Sequence, residues 1–220
     1  MGVVTVSRQY GAGGQRVAPA LAEAIGYRFV DGEVVERAAA EAGVDPEVAQ
    51  NLDERAPALV EKVGLALAAA SPEFGLSSPP PADDRALAEG VGRVIASLAA
   101  VGGYVILGRG GQAVLRDRPD ACHLQLVADL ENRARRVMES QGVSRDEARE
   151  RCRRVDADRA AYVRRFHGLD IADPHLYDAV LNTSRLGIDG AVLAAETVAR
   201  HRLGSDLDRG RGNGPRGHQF

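Results

Sequence analysis

A β-branched run, Val3-Val4-Thr5-Val6, passes directly into the glycine-rich turn Ser7-Arg8-Gln9-Tyr10-Gly11-Ala12-Gly13-Gly14-Gln15-Arg16 and from there into a helical pattern. This transition restricts the fold severely. A strand that feeds a helix through a tight loop aims backbone N–H groups and the positive end of the helix dipole at one point, where a polyphosphate fits. The loop departs from the usual G-x-x-x-x-G-K-[ST] pattern. With Gly13 on the second glycine, Arg8 stands at the first, Gly14 replaces the lysine and Gln15 replaces the Mg²⁺-holding hydroxyl. The alternative is an ordinary strand-to-helix turn whose glycines only supply tight geometry.

Length and composition narrow the class. A chain of 220 residues, 45% hydrophobic and 27% charged, accommodates one α/β domain with a small inserted subdomain. No apolar run approaches the roughly 20 residues of a membrane span, and Met1-Gly2-Val3-Val4 lacks a basic segment leading an apolar stretch, so a cytoplasmic protein is expected. Cys122 and Cys152 lack C-x-x-C spacing and read as buried thiols. A formal charge of −3 gives no reason to expect nucleic acid or an anionic membrane as a partner. Of 28 basic residues only Lys62 is a lysine. Gene base composition explains much of that bias, yet any cation meeting a phosphate is then expected to be arginine, whose planar fork suits bidentate phosphate recognition.

Val17, Leu21, Ala24 and Ile25 predict a helix that tolerates Pro19 near its start and ends at Gly26. A strand over 27–30 leads to Asp31, which either caps a helix over 33–42 or faces a ligand. Two helical stretches occupy 45–70, either side of Pro57, and 71–81 is a proline-rich connector. A helix over 83–100 precedes the apolar strand Tyr104–Leu107 and Gly108-Arg109-Gly110. Then follow a strand over 123–127, helices over 130–140 and 144–166, a strand over 178–182, a closing helix over 188–201 and a disordered tail over 204–220. Strands alternating with helices imply a parallel sheet covered on both faces, with ligands beyond the carboxyl ends of the strands. The glycine loop, Asp31 and Arg109 all fall there.

Between Arg133 and Arg165 lie eleven arginines and six acidic residues. A salt-bridged surface explains most of them. Arg159 differs, because it projects from a stripe of Ala148, Cys152, Val155, Tyr162, Val163 and Phe166 and must either snorkel outward or meet an anion.

Taken together, Ser7–Gly14, Asp31 with Glu33–Arg37, Gly108-Arg109-Gly110, Val155–Tyr162 and Asp173–Leu186 resemble the cytidylate kinase-like family of P-loop kinases, over roughly residues 3–200. The resemblance implies one domain over 1–203, built on a five-stranded parallel α/β core, with a nucleoside monophosphate (NMP)-binding helical insertion over 45–101 and an arginine-bearing lid over 144–166. It implies ATP and Mg²⁺ as cofactors and a small nucleotide, CMP or dCMP, as substrate. Arg8, Gly11, Ala12, Gly13, Gly14, Gln15 and Arg16 would embrace the donor phosphates, and Asp31, Arg37 and Arg109 would face the acceptor. Arg154, Asp158 and Arg159 would close over the reacting groups. The lysine and hydroxyl missing relative to true cytidylate kinases, and Gly110 where those carry aspartate, leave two alternatives open: a nucleotide-binding regulatory protein with little catalysis, or a kinase of another small acceptor. The Mg²⁺ ligands are unassigned, and apolar helices in 58–70 and 86–100 fit either intramolecular packing or a homodimer face.

Overall fold

The computed structural model describes residues 1–32, 35 and 84–204. Five strands form one sheet: β1 (Val3–Arg8), β2 (Arg28–Asp31), β3 (Tyr104–Leu107), β4 (Ala121–Val127) and β5 (Ala179–Asn182). Their order is β2-β3-β1-β4-β5, and every pairing is parallel. The central β1 aligns Val3 with both Tyr104 and Ala121, so its carboxyl end, where the glycine loop begins, emerges between β3 and β4. All four residues of β3 are buried, as its unbroken apolar run requires of a strand covered on both faces.

Alternation along the strands divides the core in two. Val4, Val6, Val105 and Leu124 pack against α1 (Gly14–Ile25) and against the last described helix, Thr183–Leu203, through Val17, Leu21, Ala191, Ala195 and Ala199. Val3, Tyr104 and Ile106 turn the other way, onto Val91, Val94, Ile95 and Leu98 of α2 (Asp84–Val101). A short helix α3 (Gly111–Val114) follows β3. Helices α4 (Leu130–Gln141) and α5 (Arg145–His167) pack on each other through Ala134, Val137, Ala148 and Cys152, and Tyr10 of the glycine loop joins that cluster. Glu131 on α4 fastens the pair at its exposed edge by receiving Arg145 and Arg149 from α5.

The predicted parallel sheet covered by helices is the fold found, with shifts at the element ends. Strand β4 begins at Ala121 rather than residue 123, because Ala121 and Cys122 pair with Val3 and Val4. The closing helix, α6, begins at Thr183 rather than residue 188. The Asn182 side chain accepts from Ser184 N at 2.9 Å and starts the helix early, and Gly187 (φ 70, ψ −178) kinks it just before the expected start. Helix α3 and a 3₁₀ turn over Pro174–Leu176 were not legible from periodicity, being too short to show any. The expected elements over 33–42, 45–70 and 71–81, the tail from 205, Arg37 and Lys62 lie outside the described residues. Among the described residues no helix is long and apolar enough to cross a membrane.

Leu21 is fully buried at the contact of α1 with the sheet, whereas Leu193 on α6 is 66% exposed. Leu21→Ala is expected to lower unfolding free energy by about 2–5 kcal/mol. Leu193→Ala should stay within about 0.5 kcal/mol of the parent. Urea denaturation midpoints compare the two.

Candidate active site

The glycine loop is held by its carbonyls. Arg8 O accepts from Arg159 Nη1 at 2.9 Å. Gln9 O accepts from Ala12 N at 3.1 Å, and Gly13 O accepts from both Arg16 N and Val17 N at 3.0 Å. Tyr10 O accepts from Arg133 Nη1 and Gly11 O from Arg136 Nη1, each at 3.2 Å. Ala12 O accepts from the buried Thr183 hydroxyl at 2.8 Å. Every carbonyl from Arg8 to Gly13 is thus tied back into the protein. A loop that is to receive an anion must turn its carbonyl oxygens away and leave amides forward, and these bonds impose that sense. At the start of α1 the cap residue Gly13 supplies no side-chain hydrogen bond, so the helix end keeps its electropositive character.

Two acidic groups complete the loop's fixation. Asp156 of α5 accepts from Tyr10 N at 2.7 Å and pairs with the buried Arg133 of α4, which also donates to Ala128 O at 3.0 Å. Asp31, at the end of β2, accepts from Gln15 Nε2 at 2.8 Å. The residue standing in the hydroxyl position therefore links the loop to the second strand.

Beyond the carboxyl ends of the strands and beneath α5 lies a cavity of about 620 Å³. Of the residues singled out in the sequence, Arg8, Asp31, Arg109, Arg154, Asp158 and Arg159 line it together, so three strand ends and the arginine-rich helix converge on one space. Residues 11–16 adjoin it as the loop and first turn of α1 without lining it. Arg159, expected either to snorkel outward or to meet an anion, instead stacks its guanidinium over the Tyr10 ring at 5.7 Å and donates to a backbone carbonyl while lining the cavity. Burial pulls its pKa below the ordinary arginine value, opposed chiefly by Asp156. A guanidinium remains charged under such a pull. Arg109 is the one non-glycine residue with positive φ (53°) among those described, and its Nε reaches Gly32 O at 3.3 Å, which joins the ends of β2 and β3.

Residues 3–185 match the cytidylate kinase-like family. The chain belongs to that family. It is 30% identical to a cytidylate kinase of Ignicoccus hospitalis over 204 residues, covering 92% of this chain and 100% of that one. A cytidylate kinase of Pyrobaculum aerophilum is 38% identical over 95 residues, 43% of this chain and 50% of the relative. Among solved structures, an uncharacterized protein from Eubacterium ventriosum superposes with TM-score 0.64 at 19% identity, covering 93% of this chain and 99% of that one. A gluconokinase from Sinorhizobium meliloti superposes with TM-score 0.51 at 16% identity, covering 94% and 96%. These two likenesses establish the P-loop kinase fold.

The departures from true cytidylate kinases read in the sequence have counterparts in the packing. A Cβ at position 14 would stand 2.9 Å from Arg8 Cγ and 3.3 Å from Leu107 Cδ1, so a lysine there would run into the Arg8 stem. The Arg8 guanidinium continues to Gly108, lying where a Cβ at that position would be, 1.8 Å from Nη1. One arginine thus crosses two glycines to bring its charge over the strand ends. The missing carboxylate at 110 has a similar origin: its Cβ would lie 2.7 Å from Nε2 of His167, the last residue of α5, at a backbone φ of 69°.

Sequence reading missed Asp156, Arg133, Arg136 and Thr183. Arg133 carried a usable signal, since it shares an i, i+3, i+4 stripe with Leu130, Ala134 and Val137, the same anomaly that marked Arg159.

Gly110→Asp, which introduces a carboxylate at this position, is expected to destabilise the protein by about 1–3 kcal/mol because it adds a side chain at positive φ and displaces His167. A chemical melt of the variant beside Gly110→Asp/His167→Ala checks this, the second change relieving part of the loss. Burial also lowers the pKa of His167 and of His123 below the ordinary 6.5. The unfolded chain then binds protons that the folded one refuses, so their contribution is intact above pH 6.5 and falls progressively as pH drops from there toward the depressed folded values. Stability measured from pH 7.5 to 5.5 should decline, and His123→Gln/His167→Gln should flatten the slope.

Proposed function

We propose that this chain is a nucleoside monophosphate kinase that moves the γ-phosphoryl of ATP to CMP or dCMP. The observation that carries the reading is the convergence of five arginines, Arg8, Arg109, Arg151, Arg154 and Arg159, on one cavity beside a loop whose carbonyls are all turned away. Phosphoryl transfer asks for alignment and for cancellation of charge on the equatorial oxygens, with little covalent help, and guanidinium groups supply both. Full-length similarity to a relative named cytidylate kinase supports the choice of acceptor.

In this reading residues 11–16 cradle the donor phosphates with backbone amides, and Arg8 takes the role of the absent lysine. Asp31 and Arg109 hold the acceptor. Helix α5 acts as the lid, with Arg154, Asp158 and Arg159 facing the transferred group and excluding water. Among the described residues no three His, Cys, Asp or Glu side chains gather to hold a metal. Mg²⁺ nevertheless fits, because it keeps several waters and needs only one or two protein oxygens besides the phosphates. Asp31 and the Ser7 hydroxyl, both lining the cavity, are the oxygens in place. Bound there, Mg²⁺ would neutralise developing phosphate charge.

A second reading, a nucleotide-responsive protein with little catalysis, rests on Gly14 and Gln15, which remove the lysine and the hydroxyl. The purified protein incubated with ATP, Mg²⁺ and CMP, dCMP, UMP, AMP or GMP separates the two. ADP formation with a pyrimidine monophosphate is expected, and ATP binding without turnover on any acceptor would sink the kinase reading. Arg159→Ala is expected to lower kcat by about 10³-fold and to leave ATP affinity within a few-fold; equal losses in both would count against a role for Arg159 in the transition state.

A further inference from the structure

One carboxylate of the arginine-rich helix pair is spent on the glycine loop rather than on the cavity. Asp156 of α5 accepts from Tyr10 N at 2.7 Å through Oδ1, and its Oδ2 pairs with Arg133 of α4. Arg133 Nη1 also donates to Tyr10 O at 3.2 Å. The amide and the carbonyl of one loop residue are thus both closed onto a single ion pair. The end of β4 is tied into the same group, since Ala128 N donates to Gln9 Oε1 and Ala128 O accepts from Arg133 Nε, each at 3.0 Å. Helix α4 lies so close that a Cβ at position 11 would stand 2.8 Å from Arg133 O.

The charge of Asp156 makes its placement informative. A carboxylate beside a loop that receives phosphate repels the ligand, so its direct electrostatic effect opposes anion binding. Its hydrogen bond acts in the opposite sense. With Tyr10 held at both its amide and its carbonyl, the loop enters the stretch from Gly11 onward with its carbonyls turned away. Arg159 benefits as well, because Asp156 is the chief acidic group opposing the effect of its burial. Asp158, two residues on, lines the cavity, whereas Asp156 does not.

We propose that Asp156 is a positioning residue for the donor nucleotide: acting from α5 through the Tyr10 amide and Arg133, it holds the glycine loop in its anion-receiving form. This rests on the reading of the loop as the ATP site given above and names a residue that governs donor affinity through the loop.

The test measures equilibrium ATP affinity by calorimetry, without acceptor, for the full chain and two variants. Asp156→Asn keeps an oxygen for Tyr10 N, Asp156→Ala removes it, and both remove the charge. Loss of a repelling charge alone would tighten ATP binding in both. Positioning predicts instead that Asp156→Ala weakens it by about 10- to 100-fold, and that Asp156→Asn stays within a few-fold of the parent. The Tyr10 amide should exchange its hydrogen faster in Asp156→Ala only. Where Asp156→Ala melts early because Arg133 is left unpaired, Asp156→Ala/Arg133→Met removes both charges and carries the same comparison. ATP bound by the alanine variant as tightly as by the parent or more so, whatever its melting temperature, would overturn the proposal. Equal losses in the alanine and asparagine variants, or failure of the parent to bind ATP, would do the same. The two readings fail separately. ATP binding with this dependence but no transfer to any monophosphate removes only the kinase reading; transfer by Asp156→Ala at an unchanged KM for ATP removes only the role of Asp156.

Discussion

Withdrawal of the loop carbonyls is the interaction on which the site depends. A backbone turn presents amides and carbonyls in equal number, and a phosphate tolerates only the amides. Three of the six carbonyl bonds come from guanidinium groups, Arg133 and Arg136 on α4 and Arg159 on α5, and a fourth from Thr183 at the start of α6. The loop is therefore shaped by segments more than a hundred residues downstream. Arg133 is the centre of this arrangement, since it joins the end of β4, the loop and Asp156 in one buried group. Removing one member of such a pair strands the other charge, at a cost of about 3–5 kcal/mol.

That dependence assigns part of the arginine excess of α4 and α5. Arg133 and Arg136 serve the protein's own carbonyls, and Arg145 and Arg149 close the helix pair through Glu131. Arg151, Arg154 and Arg159 are the members of this group that line the cavity alongside Arg8 and Arg109. Guanidinium suits both tasks, because five N–H donors in a fixed fork allow one group to bind a carbonyl and still face an anion.

Most of the architecture was legible because it rests on local patterns. The β-branched run of β1, the apolar run of β3 and the glycine at 26 mark the elements with errors of one or two residues, except at α6, where the Asn182 cap and the Gly187 kink moved the start by five. The convergence of the glycine loop, Asp31 and Arg109 also followed from topology, since ligands of parallel sheets gather beyond the strand ends. The carbonyl tethers were not legible. They join side chains to backbone oxygens across more than 120 positions, and a carbonyl carries no residue identity for a sequence to display. Helix α3 escaped for a different reason: it spans only four residues, too few for any periodicity to show.

The passage of Arg8 across Gly14 and Gly108 makes these three positions a coupled set in sequence change. A lysine gained at 14 meets the arginine stem, any side chain gained at 108 meets its guanidinium, and loss of Arg8 alone leaves the loop without a cation above it. Routes between this loop and a lysine-bearing one therefore depend on order. Shortening of Arg8 must come first, or both residues must change together. The same coupling binds Gly110 to His167. A lineage carrying this loop is held to its arginine by steric interlock, whatever the relative merit of the two cations.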